Sequence, residues 1–219
     1  MIDSVTGVAT CEETRQAVLA SAELLSGLGH HVEEMSHPVT PAFIDDFSDY
    51  WGFLAFMVSR FGHLDLGKDF DAEQLDELTH GLSARFRQRS WRFPRTLLRL
   101  RRSWAEYARV MRHYDVVLSP VLGHVTPKLG ELNPSVPFET LFQRMIQYVS
   151  FTPLNNASGS PAMSLPLGMS SSGLPIGVQF SAAHGDEATL LTLAYELEQA
   201  HPWQRREQAV AAMAEQQAC

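Results

Sequence analysis

Two apolar segments near the C-terminus constrain the fold more than any other part of the chain. AMSLPLG at 162–168 and PIGVQFSA at 175–182 are separated by MSSSGL, which is rich in turn-forming residues. This pattern predicts two strands joined by a turn. Asp186 can then cap an amphipathic helix that ends at His201-Pro202. The chain also has a predicted helix that ends at Gly29 and leads directly into an extended segment, which indicates an α/β unit.

The N-terminal part repeats this combination of helix and strand. Apolar residues recur at helical spacing over 12–28. Thr10 and Glu13 have the spacing of a capping box, and Gly29 suits the residue that follows the helix. HVEEM, at 31–35, is then predicted to form a short strand.

The middle of the chain, 41–113, shows helical periodicity. Asp71 is expected to cap one helix, and Pro94 suits the first turn of another. The first helix should bury a broad apolar stripe made of Phe43, Phe47, Tyr50, Trp51, Leu54, Val58 and Phe61.

Charge divides this helical middle into two blocks. The stretch from Asp45 to Glu77 contains nine acidic residues and only two basic ones, Arg60 and Lys68. The stretch from Arg85 to Arg112 contains ten arginines and one acid. We expect two helical segments that face each other or solvent; a basic stripe for nucleic acid is the alternative. The net charge of −8 argues against nucleic acid and anionic membranes as partners.

YDVVLSP, at 114–120, is predicted to be a buried parallel strand that ends at a loop. Prolines and glycines make 121–137 irregular, and a helix follows over 138–149. The chain is therefore divided into an α/β unit at 1–40, a helical segment at 41–113, C-terminal strands and helices at 114–203, and a tail at 204–219.

Candidate catalytic residues are few. Ser158 and Ser160 lie in NASGSPAM, which lacks the G-x-S-x-G pattern of a hydrolase nucleophile, so structural roles are favoured for both. Lys68 and Lys128 lie in polar or proline-rich surroundings that do not suit a buried general base. The histidines and two cysteines show no metal-ligand spacing. We therefore predict no metal and no cofactor.

The segment FTPLNNASGSPAMSLPLGMSSSGLPIGVQF, followed by GDEATLLTLAYELEQAHPW, resembles the C-terminal end of amidase-signature enzymes. YDVVLSPVLGHVTPKLGE and AELLSGLGHHVEE are similar to earlier parts of the same family. The resemblance implies an α/β fold with a mixed sheet covered by helices. It also implies hydrolysis of carboxylic amides by two serines and a lysine. These three residues belong to a Gly/Ser-rich signature and to sequence before it, and neither has a counterpart in the 219 residues.

By the same resemblance, the turn at 151–156 approaches the acyl side of the substrate pocket. Thr152, Asn155 and Asn156 would supply polar groups there, and Phe151 an apolar wall. The alternative is that the asparagines only close turns through their own backbone.

Three functional hypotheses follow. The chain is the C-terminal portion of an amidase, whether a truncated product or half of a split enzyme; or a non-catalytic scaffold that keeps the fold; or an independent enzyme using Ser158 or a histidine. In the first case the partner is a small amide, bound only with the N-terminal half. The chain should also self-associate through uncovered apolar surface. We see no signal peptide, and the longest apolar run, Trp51 to Val58, is too short to span a membrane. We therefore expect a cytoplasmic protein.

Overall fold

The computed structural model describes residues 4–203, in which helices surround one small sheet. The tail predicted at 204–219 lies outside these residues. Two short 3₁₀ turns, Ala72–Gln74 and Ser90–Arg92, separate helices of the middle segment. The helices and strands are α1 Glu12–Gly27, α2 Ala42–Asp65, α3 Glu77–Arg89, α4 Phe93–Val110, β1 Val116–Pro120, α5 Phe138–Tyr148, α6 Pro153–Ser158, β2 Ala162–Met169, β3 Pro175–Ala182 and α7 Glu187–Ala200.

The sheet has the strand order β1-β3-β2, and both pairs are antiparallel. The predicted strand pair is confirmed as β2 and β3, with Leu165 opposite Val178. The prediction that YDVVLSP forms a parallel strand is wrong in direction, because β3 returns from its turn and inserts between β1 and β2. An apolar run indicates that a strand is buried, but not whether it pairs parallel or antiparallel with its neighbour. Val117 of β1 is indeed buried.

The core lies between the sheet and two helices. Val178, Phe180 and Ala182 of β3 have no exposed surface, and neither has Leu197 of α7. Val18 and Leu25 of α1 belong to the same cluster. The first and last parts of the chain are thus held together by one apolar core.

The ends of α1 differ in how well the sequence predicted them. Cys11, not Thr10, occupies the N-cap position and makes no side-chain cap bond. The carboxylate of Glu13 instead accepts a hydrogen bond from the backbone N–H of Ser171 in the β2–β3 turn, at 2.8 Å. This long-range contact replaces the predicted capping box. Gly29 has a φ of 99° and ends α1 as predicted, with its N–H donated to the carbonyl of Ser26.

The prediction of a strand at HVEEM is wrong. Residues 31–35 have no strand pairing with the rest of the described chain. A strand needs a hydrogen-bonded partner strand, and a short alternation of apolar residues after a helix does not show that such a partner exists.

The prediction of a helical middle segment is confirmed, with two corrections. Asp71 caps only the first 3₁₀ turn, and Asp76 caps α3 by accepting from the N–H of Thr79. The apolar stripe of α2 is buried at Phe43, but Leu54, Val58 and Phe61 near its C-terminal end are exposed. Periodicity identified the face of the helix, but within residues 4–203 the side chains of Leu54, Val58 and Phe61 on that face are not covered.

The two charge blocks meet where α2 packs against α3 and α4. Arg89 and Arg92 lie within 3.4 to 3.7 Å of the carboxylate of Asp49. Arg99 forms an ion pair with Asp46. The carboxylate of Asp45 is approached by three arginines, Arg85, Arg89 and Arg92. These contacts confirm that the two segments face each other.

Asp49 makes the stability of this helical packing depend on pH. Burial raises the pKa of Asp49 above its ordinary 3.8, more than Arg92 and Arg85 lower it. The folded chain therefore keeps the proton at pH values where the unfolded chain has lost it. Protonation favours folding, and this contribution disappears as the pH rises through the folded-state pKa.

We expect urea unfolding between pH 4 and pH 7 to show this contribution in the wild-type chain and not in Asp49→Asn. As the pH rises, the free energy of unfolding of the variant should increase relative to that of the wild type. A difference that stays constant over this range would contradict the assignment.

Candidate functional site

The segment that carries the family motif forms a short helix against the sheet. Phe151 and Thr152 lead into α6, which ends at Gly159 with a φ of 72°. Such a positive φ favours glycine. The N–H of Gly159 donates to the carbonyl of Asn155 at 2.8 Å, which closes the helix before β2 begins. Residues 153–156 of the predicted turn are thus the first part of α6, and Phe151 and Thr152 precede it.

Asn155 joins this helix to the sheet. Its amide nitrogen donates to the hydroxyl oxygens of Ser160 and Ser181, at 2.9 and 3.0 Å. Its amide oxygen accepts from the Gln179 amide nitrogen at 3.0 Å. Three of the four hydrogen-bonding positions of this amide are therefore used inside the protein.

The same network extends to two neighbouring elements. The Gln179 amide nitrogen also donates to the hydroxyl oxygen of Ser119 on β1, at 3.4 Å. The hydroxyl of Tyr107, on α4, donates to the carbonyl of Ala182 at 2.9 Å, and burial raises the pKa of this phenol. Buried polar groups that satisfy one another hold their elements in one arrangement. The network thus sets the position of α6 relative to β1, β3 and α4.

Ser158 and Ser160 belong to this structural network. Their hydroxyl oxygens lie 2.9 Å apart, and both side chains are buried. The nearby His184 approaches the backbone carbonyl of Ser158 at 2.7 Å and not its hydroxyl. A serine nucleophile needs a base at its hydroxyl, so these contacts favour the structural interpretation of both serines.

The four residues expected to bind substrate occupy different environments. Phe151 is 3% exposed and lies against the ring of His37, with ring centroids 6.3 Å apart. Thr152 is half-buried, and its side chain makes no hydrogen bond with another residue of 4–203. Asn156 is exposed, whereas Asn155 is occupied by the network. Thr152 and Asn156 are the two with polar groups left for a ligand.

Sequence reasoning missed Gln179, Ser181 and Ser119 as partners of Asn155. Gln179 carried a detectable signal, since it is a long polar side chain inside the apolar segment PIGVQFSA. A buried polar residue in a strand requires a partner.

A groove of 1040 Å³ lies elsewhere, between α1, α7, β1 and residues 30–37. Several ionisable side chains line it, including His30 and Glu196, whose side-chain atoms lie 3.1 Å apart. None of the four predicted site residues lines this groove. It is therefore separate from the site that the sequence motif indicates.

Three further observations concern the residues that the structure describes. Among residues 4–203, no three or more histidine, cysteine or acidic side chains are grouped as a metal would require. Lys68 and Lys128 are both exposed, as their sequence surroundings indicated. Over the same residues, no helix is both long and apolar enough to cross a membrane.

We expect Asn155→Ala to lower the free energy of unfolding by about 1–3 kcal/mol, because it leaves buried hydroxyl and amide groups without partners. Asn156→Ala is the matched control, since the neighbouring side chain is exposed and should change stability by less than about 0.5 kcal/mol. Denaturant unfolding of the two variants measures both effects. Equal losses would show that the network does not anchor α6.

The fold and the motif together define the family. The amidase family model matches residues 3–191, so the chain belongs to this family. The motif at 151–203 resembles the C-terminal end of its members. Putative amidase AmiC from Mycobacterium leprae (strain TN) is 45% identical over 194 residues. The corresponding protein of Mycobacterium tuberculosis (strain H37Rv) is 46% identical over the same length.

A solved structure agrees with this assignment. A 6-aminohexanoate cyclic dimer hydrolase complexed with substrate superposes with a TM-score of 0.76 and 29% identity, and the match covers 92% of this chain and 44% of that one. The two AmiC matches cover 88% of this chain and 41% of the relative. The chain thus spans less than half the length of these relatives and corresponds to their C-terminal portion.

Proposed function

We propose that this chain is the part of an amide hydrolase that supports and lines the acyl side of the substrate pocket. The single observation that carries this is the position of α6, held to the sheet by the Asn155 network while Thr152 and Asn156 keep polar groups for a ligand. The reaction is hydrolysis of a carboxylic amide. Its two serines and lysine come from polypeptide that is not among these 219 residues.

The roles of the four residues follow from their surroundings. Thr152 and Asn156 contact the substrate through a hydroxyl and an amide. Asn155 is a positioning residue that holds α6 in place. Phe151 forms an apolar support behind the turn, since it is almost fully buried.

Completing the enzyme tests this proposal. The portion of the M. tuberculosis relative that precedes its match to this chain can be fused to residue 1, or expressed separately and mixed with the chain. We expect hydrolysis of simple aryl amides or of the 6-aminohexanoate cyclic dimer only when both portions are present. Thr152→Val and Asn156→Ala should raise KM more than they lower kcat, because they remove ground-state contacts.

A folded, monodisperse fusion that is inactive on every amide tested would contradict the proposal and favour the non-catalytic scaffold. The DNA upstream of the Met1 codon offers an independent check. A continuous reading frame that encodes a Gly/Ser-rich signature would support the enzyme, whereas unrelated sequence would support the scaffold.

We also propose a cytoplasmic location. Two cysteines among 219 residues are too few for the disulfide framework that is typical of small secreted proteins, which supports this location. Fractionation of the native host, with the chain detected by antibody, tests this.

A further inference from the structure

The charge blocks of the middle segment neutralise each other only in part. Asp45, Asp46 and Asp49 have arginine partners, but the acids further along do not. Within residues 4–203, no ion pair joins a cation to the exposed acids Asp65, Asp69, Asp71, Glu73, Asp76 and Glu77. We call residues 65–77 the acidic segment; Lys68 is its only lysine or arginine.

The basic block is left with a matching surplus. Arg85, Arg89, Arg92 and Arg99 are paired with acids of α2. The exposed arginines of α4, namely Arg95, Arg101, Arg102 and Arg109, have no acidic partner in the part of the chain that the structure describes. One surface of the protein is therefore acidic and another is basic, although the net charge is −8.

Each charged surface lies next to exposed apolar side chains. On α2, Leu54, Met57, Val58, Phe61 and Leu64 are spaced by three or four residues or adjacent, so they share one face that leads into the acidic segment. On α4, Leu97, Leu98 and Trp104 are exposed beside the arginines, and Trp91 just before α4 is 80% exposed. Contiguous exposed apolar side chains beside charge are typical of an interaction surface.

We propose that these two surfaces bind each other between two copies of this chain. The acidic segment and apolar face of α2 in one copy lie against α4 of the other. The contact brings opposite charges together and covers apolar side chains on both sides. A two-fold axis lets each copy contribute both surfaces, so the assembly closes as a dimer. An anionic membrane fits less well, because the acidic segment would be repelled by it.

Light scattering or sedimentation over a concentration series measures the association directly. At low ionic strength the mass should rise from 24.4 kDa towards twice that value. Raising the salt should weaken the dimer, since exposed charges are screened over about 10 Å at 0.1 M.

A charge swap identifies the surfaces. Arg101→Glu with Arg102→Glu, and separately Asp69→Lys with Glu73→Lys, should each weaken the homodimer by about tenfold or more. Mixing the two variants should restore association, because each reversed surface then meets its complement. Lys128→Glu, in the exposed loop after β1, is the control and should dimerise as the wild type does.

A mass that stays at 24.4 kDa at every concentration and salt would overturn the proposal. So would variants that still dimerise alone, or a mixture that does not associate. Binding to phosphatidylserine vesicles that is lost with the α4 variant, while the chain stays monomeric, would assign α4 to a lipid surface instead. None of these outcomes depends on amide hydrolysis, so the dimer and the proposed function can fail separately.

Discussion

The purified chain by itself is expected to show no amide hydrolysis above the uncatalysed rate. Within residues 4–203, neither Ser158 nor Ser160 has a base at its hydroxyl: the two hydroxyls bond to each other, and His184 contacts the backbone carbonyl of Ser158. Both lysines are exposed, whereas a lysine that acts as a general base must be buried. Loss of a serine nucleophile or its base in a hydrolase costs roughly a million-fold in kcat.

Turnover of chromogenic aryl amides and of aliphatic amides measures this. Ser158→Ala and Ser160→Ala are the controls, and both should match the wild-type baseline. Hydrolysis that persists through repurification and disappears in Ser158→Ala would contradict the expectation and establish the chain as an independent serine enzyme.

Phe180→Ala is expected to cause the largest loss of stability. The ring has no exposed surface and lies in the core shared by α1, the sheet and α7. Removing a buried phenylalanine typically costs about 3–5 kcal/mol. Because a whole domain is stable by only about 5–15 kcal/mol, this change should remove a large share of the stability and lower the denaturation midpoint of the protein.

Denaturant unfolding, followed by far-ultraviolet circular dichroism, checks this change. Leu191→Ala on α7 is the matched control, since that side chain is 58% exposed. If the two variants lose equal free energy, Phe180 does not belong to the cooperative core.

The elements that sequence predicted best are those with both a periodic pattern and clear end signals. β2 and β3 have a turn between them, α7 has Asp186 at its start, and Gly29 ends α1. The wrong predictions concern the tertiary contacts of a segment, that is, which other element packs or pairs with it. An apolar period does not say which strand pairs with β1, or whether anything covers Leu54 of α2.

The candidate site shows the same limit. A family motif drew attention to Asn155 and Asn156 equally, yet one is tied to Gln179 and the other faces solvent. Their separate roles depend on a strand more than twenty residues further along the chain, and local sequence carries no information about that contact. Gln179 was the detectable half of the pair.

The hydrogen bond from Ser171 to Glu13 has a consequence for biosynthesis. It joins residues 158 positions apart, and the core that holds α1 needs β3 and α7 as well. At roughly 5–20 residues per second, α1 leaves the ribosome about ten to thirty seconds before its partners do. During that interval its apolar face lacks the residues of β3 and α7 that cover it in the folded protein, so nascent chains should bind a holdase chaperone until α7 has been made.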